Sequence, residues 1–458
     1  MHEPLVSEMK DLIRSGDFAH LRDRLVGLLP HEVASIIQYL KTDEQVLAFR
    51  VLPRNVAATV FEYLPSAAQR SLVKSMGQED IAALLNHMAP DDRTLLFGEL
   101  PANVTKQLLS LLTPEERREA VTLLGYPPGT IGRLMTPHYI AVREDWTVQQ
   151  VMDFVRERGR DSETLNVIYV LDGQGRLIDD IRMREFLVVP LTQHVSDLMD
   201  RRYVSLKATD AQDTAVEVFR REDRTALPVT DSTGELIGIV TVDDVLDVAE
   251  QAATRDMQKV GGSEALDEPY MEIALTRMVK KRAGWLVVLF LGEMLTATAM
   301  GFFEKEIERA VVLALFVPLI ISSGGNSGSQ ASTLVIRAMA VGELRIRDWW
   351  RVVRREAMAG VVLGCILGSI GFLRITAWSM FSTLYGPHWL LVAMTVGLAL
   401  IAIVLWGALV GSMLPLILRR LGFDPATSSA PFVATFVDVT GLVIYFSVGL
   451  VVLRGTLL

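Results

Sequence analysis

Residues 389–418 read WLLVAMTVGLALIAIVLWGALVGSMLPLIL, from Trp389 to Leu418, without one Asp, Glu, Lys or Arg. A helix needs about 20 apolar residues to cross a hydrocarbon core of roughly 30 Å, and buried helices of soluble proteins are rarely so long or so poor in charge. Working outward, four more apolar stretches follow Arg282: Ala283 to Phe303, Ala310 to Ile336, Ala357 to Phe381 and Ala430 to Leu453. Five membrane crossings are predicted. Basic residues set their direction. Lys280, Lys281 and Arg282 precede the first span. Arg337, Arg345, Arg347, Arg351, Arg354 and Arg355 separate the second from the third, and Arg419 and Arg420 the fourth from the fifth. These segments mark the cytosolic side, so the N-terminus is expected inside and the C-terminus outside.

The part before the spans is acidic. Nine acids and twelve bases follow Arg282, leaving 45 acids and 33 bases before it, a balance of −12. Nucleic acid is not expected as a partner, because phosphate binding needs clustered Lys and Arg. Cations suit such a surface. The single cysteine, Cys365, lies in an apolar run, and the seven histidines show no zinc-ligand spacing, so neither disulfides nor a zinc site are expected. Met1 to Lys10 carries Glu3, Glu8 and Lys10 in place of an apolar signal core, so export of the first domain is not expected. No nucleophile–base pair is visible, and an enzyme is not expected.

Two polar interruptions mark the spans. Pro318-Leu-Ile-Ile-Ser-Ser-Gly-Gly-Asn-Ser-Gly-Ser-Gln330 places Gly324, Gly325 and Gly328 beside Asn326 and Gln330. Such residues are costly in lipid unless they line water or are buried in protein; close helix packing is the competing explanation. The second is Asp438, within Thr435-Phe-Val-Asp-Val-Thr-Gly441. A lone carboxylate in a span costs a few kcal/mol and by default marks an ion path; a protonated carboxyl kept for packing is the alternative. Glu293, in the first span, is a weaker candidate. Asp424, in Gly422-Phe-Asp-Pro425, is expected to cap the last helix.

The acidic part carries two repeats. Leu52, Leu64, Met76, Met88, Leu100 and Leu112 recur every 12 residues, most of them before a Pro, Gly or polar turn. That period fits one short helix plus a turn, stacked into a superhelix. A longer repeat follows: Asp172-Gly-Gln-Gly175-Arg-Leu177 returns as Asp231-Ser-Thr-Gly234-Glu-Leu236, after apolar strands at Val167 to Leu171 and Ala226 to Val229. With Ala226-Leu-Pro-Val229 and Gly238-Ile-Val-Thr-Val-Asp-Asp244, this resembles a pair of CBS domains. The first copy departs from that pattern at Asp179-Asp-Ile-Arg-Met-Arg-Glu185.

Helical repeat, CBS pair and five spans, in that order, resemble the MgtE magnesium channels. Pro318 to Gln330 is similar to that family's Gly-Gly-Asn motif, and Gly422 to Gly441 to its Asp-Pro-Ala and Asp-Val-Thr-Gly pair. The resemblance implies a multidomain protein: a helical N domain (1–130), two α/β CBS domains (131–192 and 193–252), a connecting helix (253–282) and an all-α five-helix pore domain (283–458). It implies a homodimer in the inner membrane, in contact with lipid, with Asp438, Asn326, Gly325 and Thr440 along a Mg2+ path. It further implies regulatory Mg2+ held by acids at Asp91, Asp213, Asp223, Asp244, Asp247 and Asp256. Thr59, Leu95, Ala252 and Arg255 stand where other members carry sensor acids, so fewer or weaker closing ions are expected. ATP is the nucleotide implied, at Arg184, Glu185, Thr241 and Asp243, with Arg224 where the family has an aromatic against adenine. A coupled divalent-cation exchanger and a pore-less membrane-anchored sensor are the other readings.

Overall fold

The computed structural model describes residues 3–266, 270–271 and 273–457. The chain divides into two compact units, Met1–Gln251 and Ala252–Leu458, each with its own core.

The first unit begins as stacked helices. From Pro30–Gln38 to Pro114–Leu124 each helix has 8 to 11 residues, as the 12-residue period predicts. Leu52, Leu64, Met88, Leu100 and Leu112 are buried in one continuous core, and Met76 packs against it. Pro30, Pro90 and Pro114 open their helices, where a missing N–H costs nothing.

Two three-stranded sheets follow. In the first, β1 (Ala141–Arg143) pairs parallel with β2 (Val167–Leu171), and β2 pairs antiparallel with β3 (Leu177–Arg182). In the second, β4 (Leu206–Lys207), β5 (Ala226–Thr230) and β6 (Leu236–Thr241) repeat that order. Asp172 Oδ1 accepts the N–H groups of Gln174 and Arg176 in one hairpin turn; Asp231 Oδ1 accepts those of Thr233 and Glu235 in the other. The hairpins then join reciprocally: Leu177 N donates to Gly234 O (3.1 Å) and Leu236 N to Gly175 O (3.2 Å). Val167, Tyr169, Leu177, Ala226, Leu236 and Ile239 form a core shared by both copies.

The helix Val242–Val260, which begins in the first unit, stops at Gly261-Gly262, where Gly262 adopts φ +77°. The next long helix starts at Leu275, so residues 253–282 are divided between two helices rather than forming one. Among the described residues, five helices are long and apolar enough to cross a membrane: Leu275–Phe302, Val311–Ala340, Ile346–Ser379, Trp389–Arg420 and Ala430–Val452. The acidic stretch before the second span, Glu304–Arg309, is a short helix.

The Gly-rich stretch is no break. Val317–Ala340 runs through it as one helix, because Gly324 and Gly328 face the fourth span at backbone distance. A Cβ on Gly411 would stand 2.1 Å from Gly328 O, and one on Gly407 2.5 Å from Gly324 O. Packing therefore explains these two glycines, as small residues do at close helix crossings. Gly411→Ala must push two backbones apart, and a loss of about 1–3 kcal/mol is expected. A lower melting temperature in detergent is the readout; an unchanged one would show the crossing to be looser than described.

Candidate ion path and candidate cation sensor

Asp438 sits in the last span, half-buried. A Cβ on Gly325 would stand 3.1 Å from Asp438 Oδ1 and 3.3 Å from Ala434 Cβ, so glycine is what lets the carboxylate lie against the second span. On that span Ser322, Asn326 and Gln330 are all exposed. Their four-residue spacing puts them on one helix face, and Asn326 Nδ2 donates to Ser322 Oγ at 3.3 Å. A row of exposed amides and hydroxyls at hydrocarbon depth must face water or protein. Thr440 is differently placed. Its hydroxyl accepts from Trp406 Nε1 (2.8 Å) and donates to Phe436 O (2.9 Å), so it is already engaged. Ser322 and Trp406 were not singled out from sequence; the four-residue recurrence was the available signal for Ser322. Glu293, on the first span, is exposed and acts on Asp438 as a like charge.

Asp424 departs from expectation. Its Oδ1 accepts from Ala426 N and caps the short turn Pro425–Thr427, while Ser429 caps the last helix. Burial raises the Asp424 carboxyl, but hydrogen bonds from Lys259 Nζ (2.6 Å) and Ala426 outweigh it and hold it below the usual range. The end of the Val242–Val260 helix is thereby tied to the entrance of the last span.

The first unit gathers acids from four separate segments. Asp91 and Asp92 open the helix Pro90–Glu99, Asp243 and Asp244 open Val242–Val260, Glu62 ends Arg54–Glu62, and Glu163 precedes β2. Helix N-termini favour carboxylates, and two of them supply four of the six. Arg93, wholly buried, braces the first helix by donating to Leu85 O (3.1 Å) and pairing with Glu116 and Glu119. Asp91 is buried and its Oδ1 has no hydrogen-bond partner. Desolvation, then repulsion from Glu62 and Asp244, pushes Asp92 up to about 8. Desolvation and Asp91 take Asp244 to about 8, although Thr241 Oγ1 donates to it at 2.8 Å. Glu62 reaches about 7 by burial, partly offset by the Ala89 N–H. Asp91 is raised well above the carboxylate range by burial and its acidic neighbours, and Glu163 and Asp247 are also raised.

Among the described residues, no three Asp, Glu, His or Cys side chains are close enough to clasp one ion directly. The arrangement suits a cation that keeps its water, as Mg2+ does. Of the acids expected to regulate, Asp91 and Asp244 share this cluster and Asp247 lies beside Asp243. Asp213 and Asp223 are exposed outside it, Asp223 being a left-handed helix cap. Asp256 belongs to the second unit. Arg184 and Glu185 open the helix Met183–Leu187 after β3, whereas Thr241 and Asp243 bracket the end of β6. Asp92, Glu62 and Glu163 escaped the sequence reading. Asp92 adjoins Asp91, but nothing in the pattern marks Glu163, which comes from an irregular loop.

Residues 317–448 match the MgtE family model, described as a divalent cation transporter. Residues 28–129 match the MgtE intracellular N domain, and 131–190 and 195–251 each match a CBS domain. The magnesium transporter MgtE of Thermus thermophilus is 36% identical over 458 residues, covering 99% of this chain and 100% of its own. The chain belongs to the MgtE family. The MgtE magnesium transporter of Enterococcus faecalis is 30% identical over 340 residues, covering 74% of this chain and 73% of its own. Among solved structures, the cytosolic domain of the Mg2+ channel MgtE in complex with ATP superposes with a TM-score of 0.51. It is 32% identical and covers 53% of this chain and 99% of its own. The soluble part of a magnesium transporter gives 0.52 at 25% identity, covering 55% of this chain and 100% of its own. Like other MgtE proteins, this is a multi-pass membrane protein with CBS domains.

Proposed function

We propose that this MgtE chain is a channel for Mg2+ uptake, with two copies enclosing the path and Asp438 of each at its narrowest point. The observation that carries this is the exposed row Ser322, Asn326 and Gln330 running beside a half-buried carboxylate in the spans. Asn326 lines the path, Gly325 lets the Asp438 carboxylate lie against the second span, and Thr440 holds Trp406 in place beside it. Two carboxylates about 4 Å apart repel by roughly 4 kcal/mol at an effective dielectric of 20. A divalent ion removes that penalty, and Mg2+ can do so with its water shell in place. The protein lies in the inner membrane with its acidic part in the cytosol. There, Mg2+ at the six-acid cluster clamps the helical domain to the CBS pair and closes the path; its loss frees the acids to repel and opens it.

The test is Mg2+ uptake into vesicles holding the purified protein, driven by the Mg2+ gradient and voltage with no Na+ or H+ gradient. Uptake under those conditions is expected; silent vesicles would favour a pore-less sensor. Glu293 motivates a second reading, a coupled exchanger, because it is a further charged group beside Asp438. Glu293→Gln is expected to keep at least half of wild-type uptake with no dependence on Na+ or H+. An exchanger would lose its coupling in that variant.

A further inference from the structure

The CBS pair contains a second polar cluster, apart from the six acids. Tyr169 pairs with Asp180 across β2 and β3, and Pro228 with Ile239 across β5 and β6. The two Asp–Gly hairpin turns set the same register in both copies, so Tyr169 corresponds to Pro228 and Asp180 to Ile239. By that offset Arg224, just ahead of β5, corresponds to Leu165, just ahead of β2. The first copy thus holds a phenol and a carboxylate where the second holds proline and isoleucine, and the second holds a guanidinium where the first holds leucine.

The charged set joins the two copies. Arg224 Nη1 lies 3.1 Å from Asp180 Oδ2, with the side chains 17% and 1% exposed. The Asp180 oxygens accept no well-aligned hydrogen bond, and the buried Tyr169 hydroxyl has no partner. A buried ion pair seldom stabilises more than apolar residues of the same volume, and the chain uses the apolar solution at the equivalent positions. Stability alone therefore does not account for the pair.

Its position bears on nucleotide binding. Asp180 lies on the strand leading to Arg184 and Glu185, and Thr225, next to Arg224, accepts from Val242 N (3.0 Å) beside Thr241. Two side chains at that place are already engaged. Arg224 is held by Asp180, and the Thr241 hydroxyl is donated to Asp244. Asp243 repels Glu163 and Asp92 as a like charge, so phosphates would enter a field of carboxylates. The residues present do not fit ATP, although a cytosolic domain 32% identical was solved with it.

We propose that Arg224 and Asp180 form an internal clamp that holds the two CBS copies together in place of a bound nucleotide, leaving the pair insensitive to ATP. The clamp does not depend on how Asp438 works, and its test reads binding and unfolding rather than flux. ATP is titrated into the purified full-length protein at constant free Mg2+, by calorimetry and by thermal unfolding. No saturable heat and no shift in melting are expected. Asp180→Ile and Arg224→Leu alone are each expected to lower the melting temperature of the cytosolic part by several degrees, since either leaves a buried polar group without its partner. The double variant, which copies the residues at the equivalent positions, is expected to recover most of that loss. Saturable ATP binding by the wild type overturns the proposal. So does a double variant whose loss is the sum of the singles. Should either single variant fail to fold, ATP binding by the wild type still decides.

Discussion

Asp438→Ala is expected to cut Mg2+ uptake by at least ~100-fold while leaving the protein as stable as the wild type or more so. A divalent ion about 4 Å from one carboxylate gains roughly 8 kcal/mol at an effective dielectric of 20, twice the value for two unit charges. Partial dehydration and competing water consume much of this. A surviving third, about 2.7 kcal/mol, is a hundredfold in occupancy. The same carboxylate disfavours folding, because an ionised Asp near the centre of a span costs about 2.5–3.5 kcal/mol even on the insertion scale. Transport and stability should therefore move apart. A packing role for Asp438 predicts the reverse, with destabilised protein and flux that falls only with the amount folded. Asp438→Asn keeps the shape and removes the charge. It should resemble Ala if charge is what matters and the wild type if shape is. Uptake into vesicles and thermal melts on the same preparations distinguish the two.

The sequence revealed most where a single physical rule acts along the chain. Hydrocarbon thickness fixes a span length, so all five crossings were legible to within a few residues at most ends; the first begins at Leu275, ahead of the basic run, and the second and third extend past their predicted bounds. The 12-residue leucine period gave the stacked helices, and the repeated Asp–Gly turn gave both sheets. Elements set by contacts distant in sequence were harder to read. Gly324 and Gly328 looked like a break because their partners, Gly407 and Gly411, lie some 80 residues away on another helix. Asp424 looked like a helix cap because Lys259, its ion partner, lies 165 residues earlier. The acid cluster was half visible. Asp91 and Asp244 sit at helix starts, a local signal, whereas Glu163 reaches the same place from a loop with none. Arg224 and Asp180 were each odd for their family position, but only their 3.1 Å contact makes them one feature.

Without divalent ions, the first unit is expected to lose stability as pH rises from about 4 to about 8, and Mg2+ is expected to restore it. The acids that drive this are Asp92 and Asp244, at about 8, and Glu62, at about 7, all raised chiefly by burial. Their pKa values are higher folded than unfolded, so between the ordinary value of 3.8 for an Asp and about 8 the folded state keeps protons that the unfolded chain has released. Stability then falls with rising pH across that window, and the full penalty is present above it. One pKa unit corresponds to about 1.4 kcal/mol, so even one such residue contributes on the order of several kcal/mol. If Mg2+ binds this cluster as proposed, it takes over the task of the lost protons, and its stabilising effect should grow with pH instead of staying constant. Asp92→Asn separates this account from simple loss of a ligand. The amide removes both the penalty and the attraction, so the metal-free protein should melt higher at pH 8 and gain little from Mg2+. On the proposed gating, in which repulsion among the acids opens the path, the same variant in vesicles should rest closed and respond weakly to Mg2+ on the side of the acidic unit. A variant that is instead held open at all Mg2+ levels would show that the ions close the path by direct bridging, with repulsion contributing nothing.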